Sequence, residues 1–229
     1  MKDLRSYKGA DVVPVHLEGR LVSIDPLRGE SDMVALWEAF GGLEINPALQ
    51  YFSQPYFSGF EDFVRWLNSV AKSGWVTHLF REKATGEVVG MASFMRTDAA
   101  NGVTEVGGVA HGPLMKRSPL ATEAHYLMAR HVFDDLNYRR YEWKCDNRNE
   151  PSKQAARRYG FTFEGIFRQH MISKGENRDT AWFSMIDAEW PLLKAGFEAW
   201  LSPGNFDAQG NQKRRLEDIR AALLPEADR

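Results

Sequence analysis

Three short stretches of this chain carry residue types that could do chemistry. The first is Glu105-Val106-Gly107-Gly108-Val109. Two adjacent glycines weaken a strand and mark a bulge or a close approach by another backbone or a ligand. A bulge leaves N–H and C=O groups unpaired, and these could grip an extended ligand; a purely structural bulge is the other reading. Glu105 is a candidate general base, against the alternative of an exposed strand carboxylate. The second stretch runs from His111 to Ser118-Pro119. Ser at the N-cap and Pro at the first helical position predict a helix that starts at Pro119. Its free N–H groups and positive dipole end, beside Lys116 and Arg117, suit a phosphate or diphosphate. The third stretch, Asn147 to Ser152, opens another helix. Asn149 either caps that helix or joins Ser152 in a polar cluster at the mouth between two parallel strands, where open sheets place ligands.

Other reactive side chains have a plainer reading. His111 is a second candidate base or a packed loop residue, and His170 an acceptor-site wall or a surface residue. Cys145 shares an alternating apolar face with Tyr141 and Trp143 and reads as a small buried hydrophobe, not a nucleophile. His125 and His131 are six residues apart and share no helix face, so no metal site is expected.

The elements that must position these residues follow from periodicity. Arg20–Leu27 reads as a strand, Asp32–Phe40 as a helix, Asn46–Gly59 as an aromatic-rich loop and Phe60–Ala71 as a second helix. Trp75–Arg81 and Val88–Met95 form a hairpin about the turn Lys83–Gly86, and Val103–Ala110 is a further strand. A helix over Leu120–Leu136, a strand over Arg140–Cys145 and a helix over Ser152–Tyr159, stopped by Gly160, come next. Two strands flank a turn at Lys174–Asp179, and helices at Trp190–Leu201 and Lys213–Leu224 close the chain. Strand–helix–strand in the middle predicts one parallel pair inside a mostly antiparallel sheet. An arm (1–19), a main domain (20–201) and a peripheral C-terminal helix and tail (202–229) are expected. Tyr51, Phe52, Tyr56, Phe57 and Phe60, with Trp182, either wall an acceptor cleft or pack in the core.

Composition narrows the function classes. A net charge of −2 over 229 residues gives no general basic field, which argues against a nucleic-acid or membrane-surface binder. Yet Met115–Arg158 holds ten Lys/Arg against six Asp/Glu, which suits a polyanionic ligand or a solvated helix face. One Cys excludes a disulfide framework. No apolar run approaches a membrane span and the first residues lack the apolar core of a secretory signal, so a cytoplasmic location is expected.

In their order and spacing, Glu105–Val109, Pro113, Pro119-Leu120-Ala121-Thr122-Glu123-Ala124, Asn149-Glu150-Pro151-Ser152, Tyr159-Gly160-Phe161 and Glu164-Gly165 resemble the GNAT superfamily of acetyl-CoA-dependent N-acetyltransferases. The likeness is nearest to the RimJ/RimL-type ribosomal-protein N-terminal acetyltransferases, whose pattern Arg168, Arg178-Asp179-Thr180 and Trp182-Phe183-Ser184 also fit. It runs from about Arg20 to Asp187 and is most specific between Glu105 and Gly165. The resemblance implies an α+β fold with a mixed, mostly antiparallel sheet, one parallel pair and flanking helices. It implies acetyl-CoA as cosubstrate, no metal, and direct attack by an amine, either a peptide N-terminus or a small amine. Gly108 and Val109 would face the thioester. Lys116, Arg117, Ser118, Leu120, Ala121 and Thr122 would hold the diphosphate, and Asn149 and Ser152 would line the same cofactor. Ser152 would meet the leaving thiolate and Glu105 would take the proton. A homodimer, and a single subunit with its tail packed back on itself, both fit.

Two departures stand out. The family's phosphate loop, Gln/Arg-x-x-Gly-x-Gly/Ala, falls on Lys116–Ala121, where Pro119 replaces the central Gly and removes an N–H donor. The Tyr that many members carry four residues before Gly-Phe is Ala156 here, and Ser152 matches the branch's Ser. These departures motivate a competing reading, a non-catalytic acyl-CoA-binding module on the same fold.

Overall fold

A computed structural model describes residues 4–224; the first three residues of the expected arm and the last five of the tail lie outside them. The strands are β1 (Leu17–Glu18), β2 (Val22–Pro26), β3 (Val76–Glu82), β4 (Val88–Asp98), β5 (Val103–His111), β6 (Arg140–Asp146), β7 (Thr162–Ser173) and β8 (Glu176–Ile186). The helices are α1 (Glu30–Ala39), α2 (Phe60–Lys72), α3 (Pro119–Arg130), α4 (Glu150–Tyr159), α5 (Trp190–Leu201) and α6 (Leu216–Leu223). The strands make one sheet in the order β1-β2-β3-β4-β5-β6-β8-β7. Every neighbouring pair is antiparallel except β5 and β6, which α3 connects in parallel. The mixed α+β architecture is therefore the one expected.

Alternation along the strands gives the sheet two unlike faces. Phe80, Val106, Tyr141, Trp143, Phe183 and Met185 point into a large core shared with α3, α5 and α6. Ten of the twelve α3 residues are buried, because that helix lies between the sheet and α5. Leu79, Met91 and Ala110 point the other way, onto Leu36 and Phe40 of α1 and Phe63 and Leu67 of α2. Over β6 and β8 that second face changes character. Glu142 and Lys144 alternate with the core residues Tyr141, Trp143 and Cys145, and Trp182 and Ser184 alternate with Ala181, Phe183 and Met185.

Two side chains lock helices to distant chain. Glu123, buried on α3, accepts from the backbone N–H groups of Arg20 (3.0 Å), Leu21 (2.6 Å) and Val22 (2.8 Å), tying the helix to the β1–β2 turn. Arg220 of α6 donates to the carbonyls of Arg157 (3.1 Å) and Arg158, the last turn of α4. The Arg157 carbonyl also accepts from the N–H of the C-cap Gly160 (3.0 Å), as last-turn carbonyls need partners beyond the regular helical ladder. Gly160 follows with φ +99°, the left-handed stop its position predicted.

Some boundaries differ from expectation. The stretch read as a loop from Asn46 begins inside a 3₁₀ helix at Gly42–Leu49, whose Ile45 and Leu49 are buried under α1 and α2. The helix expected to reach Leu136 ends as α-helix at Arg130 and widens into a π turn over His131–Asp135. The expected turn at Lys174–Asp179 shrinks to Lys174-Gly175, because β7 and β8 pair up to Ser173 and Glu176. Polar residues there alternate on a long exposed ribbon, which a polarity argument mistakes for loop.

Candidate functional site

The site begins where two parallel strands part. β5 pairs with β6 from Val103–Arg140 to Val106–Trp143, and no further, although β5 runs on to His111 and β6 to Asp146. On its other side β5 slips register against β4: Ser93 faces Gly107, but Met91 faces Ala110. Gly108 and Val109 thus form a bulge, with Gly108 at φ +59°. Both glycines are needed. A Cβ at Gly108 would stand 2.8 Å from the Trp75 ring, and one at Gly107 would collide with the Met95 sulfur. The split and the bulge together leave β5 backbone groups past Val106 without a β6 partner.

The chain then turns into α3. Ser118 is its N-cap and Pro119 its first residue, as the sequence indicated. The Ser118 hydroxyl, however, donates to the Met115 carbonyl (2.8 Å) and makes no side-chain cap, because the 3₁₀ turn at Pro113–Met115 brings that carbonyl to it. Pro119 occupies the one helical position where a missing N–H costs nothing within the helix. The next amides, of Leu120 and Ala121, belong to the first turn and have no intrahelical carbonyl in reach, and Thr122 is the first residue with one, that of Ser118, four positions back. Lys116 and Arg117 are exposed beside them, and Arg117 holds φ +58°. The side chains of Leu120 and Thr122 turn inward: Leu120 is buried, and the Thr122 hydroxyl accepts from Arg158 (2.9 Å). Only their backbone is left toward the helix mouth.

The third stretch lies at the same mouth. Asn149 Oδ1 accepts from Ser152 N (3.1 Å), so Asn149 caps α4. Ser152 Oγ accepts from the Trp143 indole N–H (2.9 Å), and Trp143 is the last β6 residue paired to β5. The hydroxyl thus lies at the apex of the split, accepting from Trp143 and hydrogen-bonded with the Cys145 thiol. Cys145 is buried; burial pushes its thiol pKa up, partly offset by a hydrogen bond with Ser152. That environment suits a packed thiol and not a nucleophile.

Glu105 is not an exposed strand carboxylate. It is 3% exposed, and its oxygens accept from Arg96 (2.8 and 2.9 Å) and from Lys144 (2.9 Å). Lys144 also reaches Glu142 (2.7 Å) and lies 3.8 Å from the centre of the Trp182 ring. Arg140 continues the chain from Glu142 (2.7 Å) to Glu164, which it grips through two nitrogens (2.7 and 2.6 Å). Three cations thus alternate with three carboxylates. Of these residues the sequence singles out Glu105 alone. The alternation of Glu142 and Lys144, read with the parallel partnership of Glu105 and Glu142, was the available signal.

Two histidines near the split, His111 and His125, are held neutral. Burial, then the Lys116 charge, pulls His111 down to about 4, and burial takes His125 well below its ordinary value. The two rings are 5.5 Å apart, and His125 also packs on Trp143 and Tyr159. His170 is exposed and its Nδ1 hydrogen-bonds with Thr180 (3.0 Å) beside Trp182. Of the aromatics considered for an acceptor wall, Phe52, Phe57 and Phe60 pack against Trp37, Phe63 and Trp66. Tyr56 is exposed under Lys174, and Trp182 lies on the sheet. The tip of the β7–β8 hairpin closes on this loop through Lys174, whose ammonium reaches the Gln50 carbonyl (3.0 Å). Among the described residues no group of three His, Cys, Asp or Glu could hold a metal, and no helix is long and apolar enough to cross a membrane.

A backbone cleft ending at a helix mouth, beside a buried ionic network, has relatives. The family profile described as "Acetyltransferase (GNAT) domain" matches residues 26–162. The chain is 29% identical over 133 residues to an uncharacterized N-acetyltransferase p20 of Bacillus licheniformis, covering 56% of this chain and 72% of that protein. Among solved structures, a GCN5-related N-acetyltransferase from Brucella melitensis superposes with a TM-score of 0.90 at 43% identity, over 95% of this chain and 100% of the other. A probable acetyltransferase of the GNAT family from Chromobacterium violaceum gives 0.77 at 35%, over 83% and 96%.

Proposed function

The chain belongs to the GNAT family of N-acetyltransferases, and from that premise we propose that it moves an acetyl group from acetyl-CoA to a primary amine by direct attack on the thioester. The observation that carries this reading is the parting of β5 and β6 after Val106 and Trp143, with the Gly108 bulge at its edge. The residues present fit such a cosubstrate: unpaired strand amides for an extended pantetheine arm, and a helix mouth with two free-standing cations for a diphosphate. When bound, acetyl-CoA supplies the activated acyl carbon.

The rest is the work of this chain. The amides of the Gly108–Val109 bulge stand where a carbonyl oxygen would gather negative charge, and a preorganised donor there favours the transition state over the ground state. Ser152, held by Trp143, turns its hydroxyl proton from Cys145 to a departing thiolate. Glu105 takes the proton of the incoming amine. Of its two cationic partners Arg96 is half exposed and Lys144 buried, so Arg96 is the one that gives way to the amine or a bridging water. The amine class stays broad: the resemblance points to a peptide N-terminus, and a small amine fits the same chemistry.

Two measurements test this. Acetyl-CoA should raise the melting temperature, since a ligand that binds only the native state stabilises it. Thiol release across a panel of amines should accompany acetylated product. Stabilisation without product from any amine would favour the non-catalytic acyl-CoA-binding module. Glu105→Gln is expected to lower kcat/KM about a hundredfold, most at pH values below the amine's own pKa, where the substrate arrives protonated. An unchanged rate in a folded variant removes Glu105 from the reaction.

A further inference from the structure

The network around Glu105 is balanced cation for carboxylate, and one cation of the same face stands outside it. Arg178 of β8 has no carboxylate within 4.0 Å among the described residues, since no ion pair includes it. The acidic groups whose charge it feels are Asp146 and Glu105. Asp146 is held by Arg148 and Glu105 by Arg96 and Lys144. What Arg178 does touch it touches weakly: Nη1 reaches the Tyr51 carbonyl at 3.4 Å and the Ser53 hydroxyl at 3.3 Å, beyond the usual N–H···O range. Its Nε–H is buried with no acceptor. A partly buried guanidinium without an ion-pair partner carries a cost, and its planar fork matches a carboxylate.

Two further buried donors lack acceptors nearby in the fold. One is Gln54 Nε2, in the residue after Ser53; the other is Trp182 Nε1, on the same face of β8 as Arg178. The segment that should close the acceptor side is thus rich in donors and short of acceptors. Lys144 links Trp182 to Glu105.

We propose that Arg178 receives a carboxylate of the acceptor, so that the preferred substrates are primary amines that also carry a carboxylate, with the amine toward Glu105 and the acid toward Arg178. This rests on the amine-acetylation reading above and narrows its substrate class.

The test compares acid with amide. Initial rates are measured for glycine, β-alanine, L-phenylalanine and glycyl-L-phenylalanine, each beside its C-terminal or carboxyl amide, with wild type, Arg178→Gln and Arg178→Lys. At least one acid should exceed its amide by about thirtyfold in kcat/KM, the size of a charge-assisted pair. Arg178→Gln should erase that ratio by slowing the acid alone, with KM for acetyl-CoA unchanged, and Arg178→Lys should restore part of it. Amides used as well as acids, or equal losses on both, overturn the proposal; a merely structural arginine gives the latter. Calorimetry with phenylacetate, which has no amine, gives a readout independent of turnover. Heat with wild type and none with Arg178→Gln supports the carboxylate site even if no amine is acetylated, whereas no heat with wild type overturns it.

Discussion

The two halves of the site we propose, one for the cosubstrate and one for the acceptor, are made of different material. On the cosubstrate side the working groups are peptide amides: a bulge at Gly108, a strand edge past Val106, and the first turn of α3. Side chains there mostly keep the backbone bare, as Gly107 and Gly108 do, or turn inward, as Thr122 does toward Arg158. On the acceptor side the working groups are side chains from scattered elements: Arg96 of β4, Glu105 of β5, Lys144 of β6, and Arg178 and Trp182 of β8. A backbone surface recognises a shape common to all acyl-CoA chains. A side-chain surface can be rewritten residue by residue. The division suits an enzyme whose donor is constant and whose acceptor sets its identity.

Substitutions can break or sharpen that contrast. The largest loss should follow Gly108→Val. A β-branched residue is strained at φ +59°, and its Cβ would press on Trp75. Acetyl-CoA turnover should fall more than about a hundredfold, with acetyl-CoA no longer raising the melting temperature. Retained cosubstrate binding would show that the bulge is not the contact. Ser152→Ala comes next, with kcat down about thirtyfold and KM for acetyl-CoA nearly unchanged, as for a proton donor needed only when the thiolate leaves. A rise in KM alone would make Ser152 a binding residue. The smallest effect belongs to Lys116→Ala with Arg117→Ala, two exposed charges. KM for acetyl-CoA should rise about fivefold at low salt and converge with wild type at high salt. S-acetylpantetheine, which lacks the diphosphate, should be used equally by both proteins, and an equal loss on it would place these residues elsewhere in the mechanism.

The same contrast explains what could be read from the chain before its structure. Backbone devices have local signatures. Paired glycines foretold the bulge, Ser118-Pro119 the start of α3, Asn149 a cap and Gly160 a left-handed stop. The parallel pair followed from a strand–helix–strand order. The ionic network had no such signature, because its members lie up to 68 residues apart in sequence, from Arg96 to Glu164, and meet only when β4, β5, β6 and β7 are assembled in one sheet. The sequence therefore leaves Glu105 open between a candidate base and an exposed strand carboxylate, and only the fold encloses it. Glu123 looked like part of a motif, yet it is bonded to three amides about a hundred residues away. Ser118 shows the limit at short range: its type was right for a cap, but a neighbouring carbonyl outcompetes the helix for its hydroxyl.

The clasp of Arg220 on the final carbonyls of α4 has a temporal side. Arg158 must wait for a residue 62 positions downstream before its carbonyl is satisfied. A ribosome must therefore have made all eight strands and α5 before the helix that bears Ser152 is fastened at its far end. The anchoring of α4 should follow the synthesis of the whole sheet, so a chain stopped short of α6 would carry every strand and still leave that helix end untied.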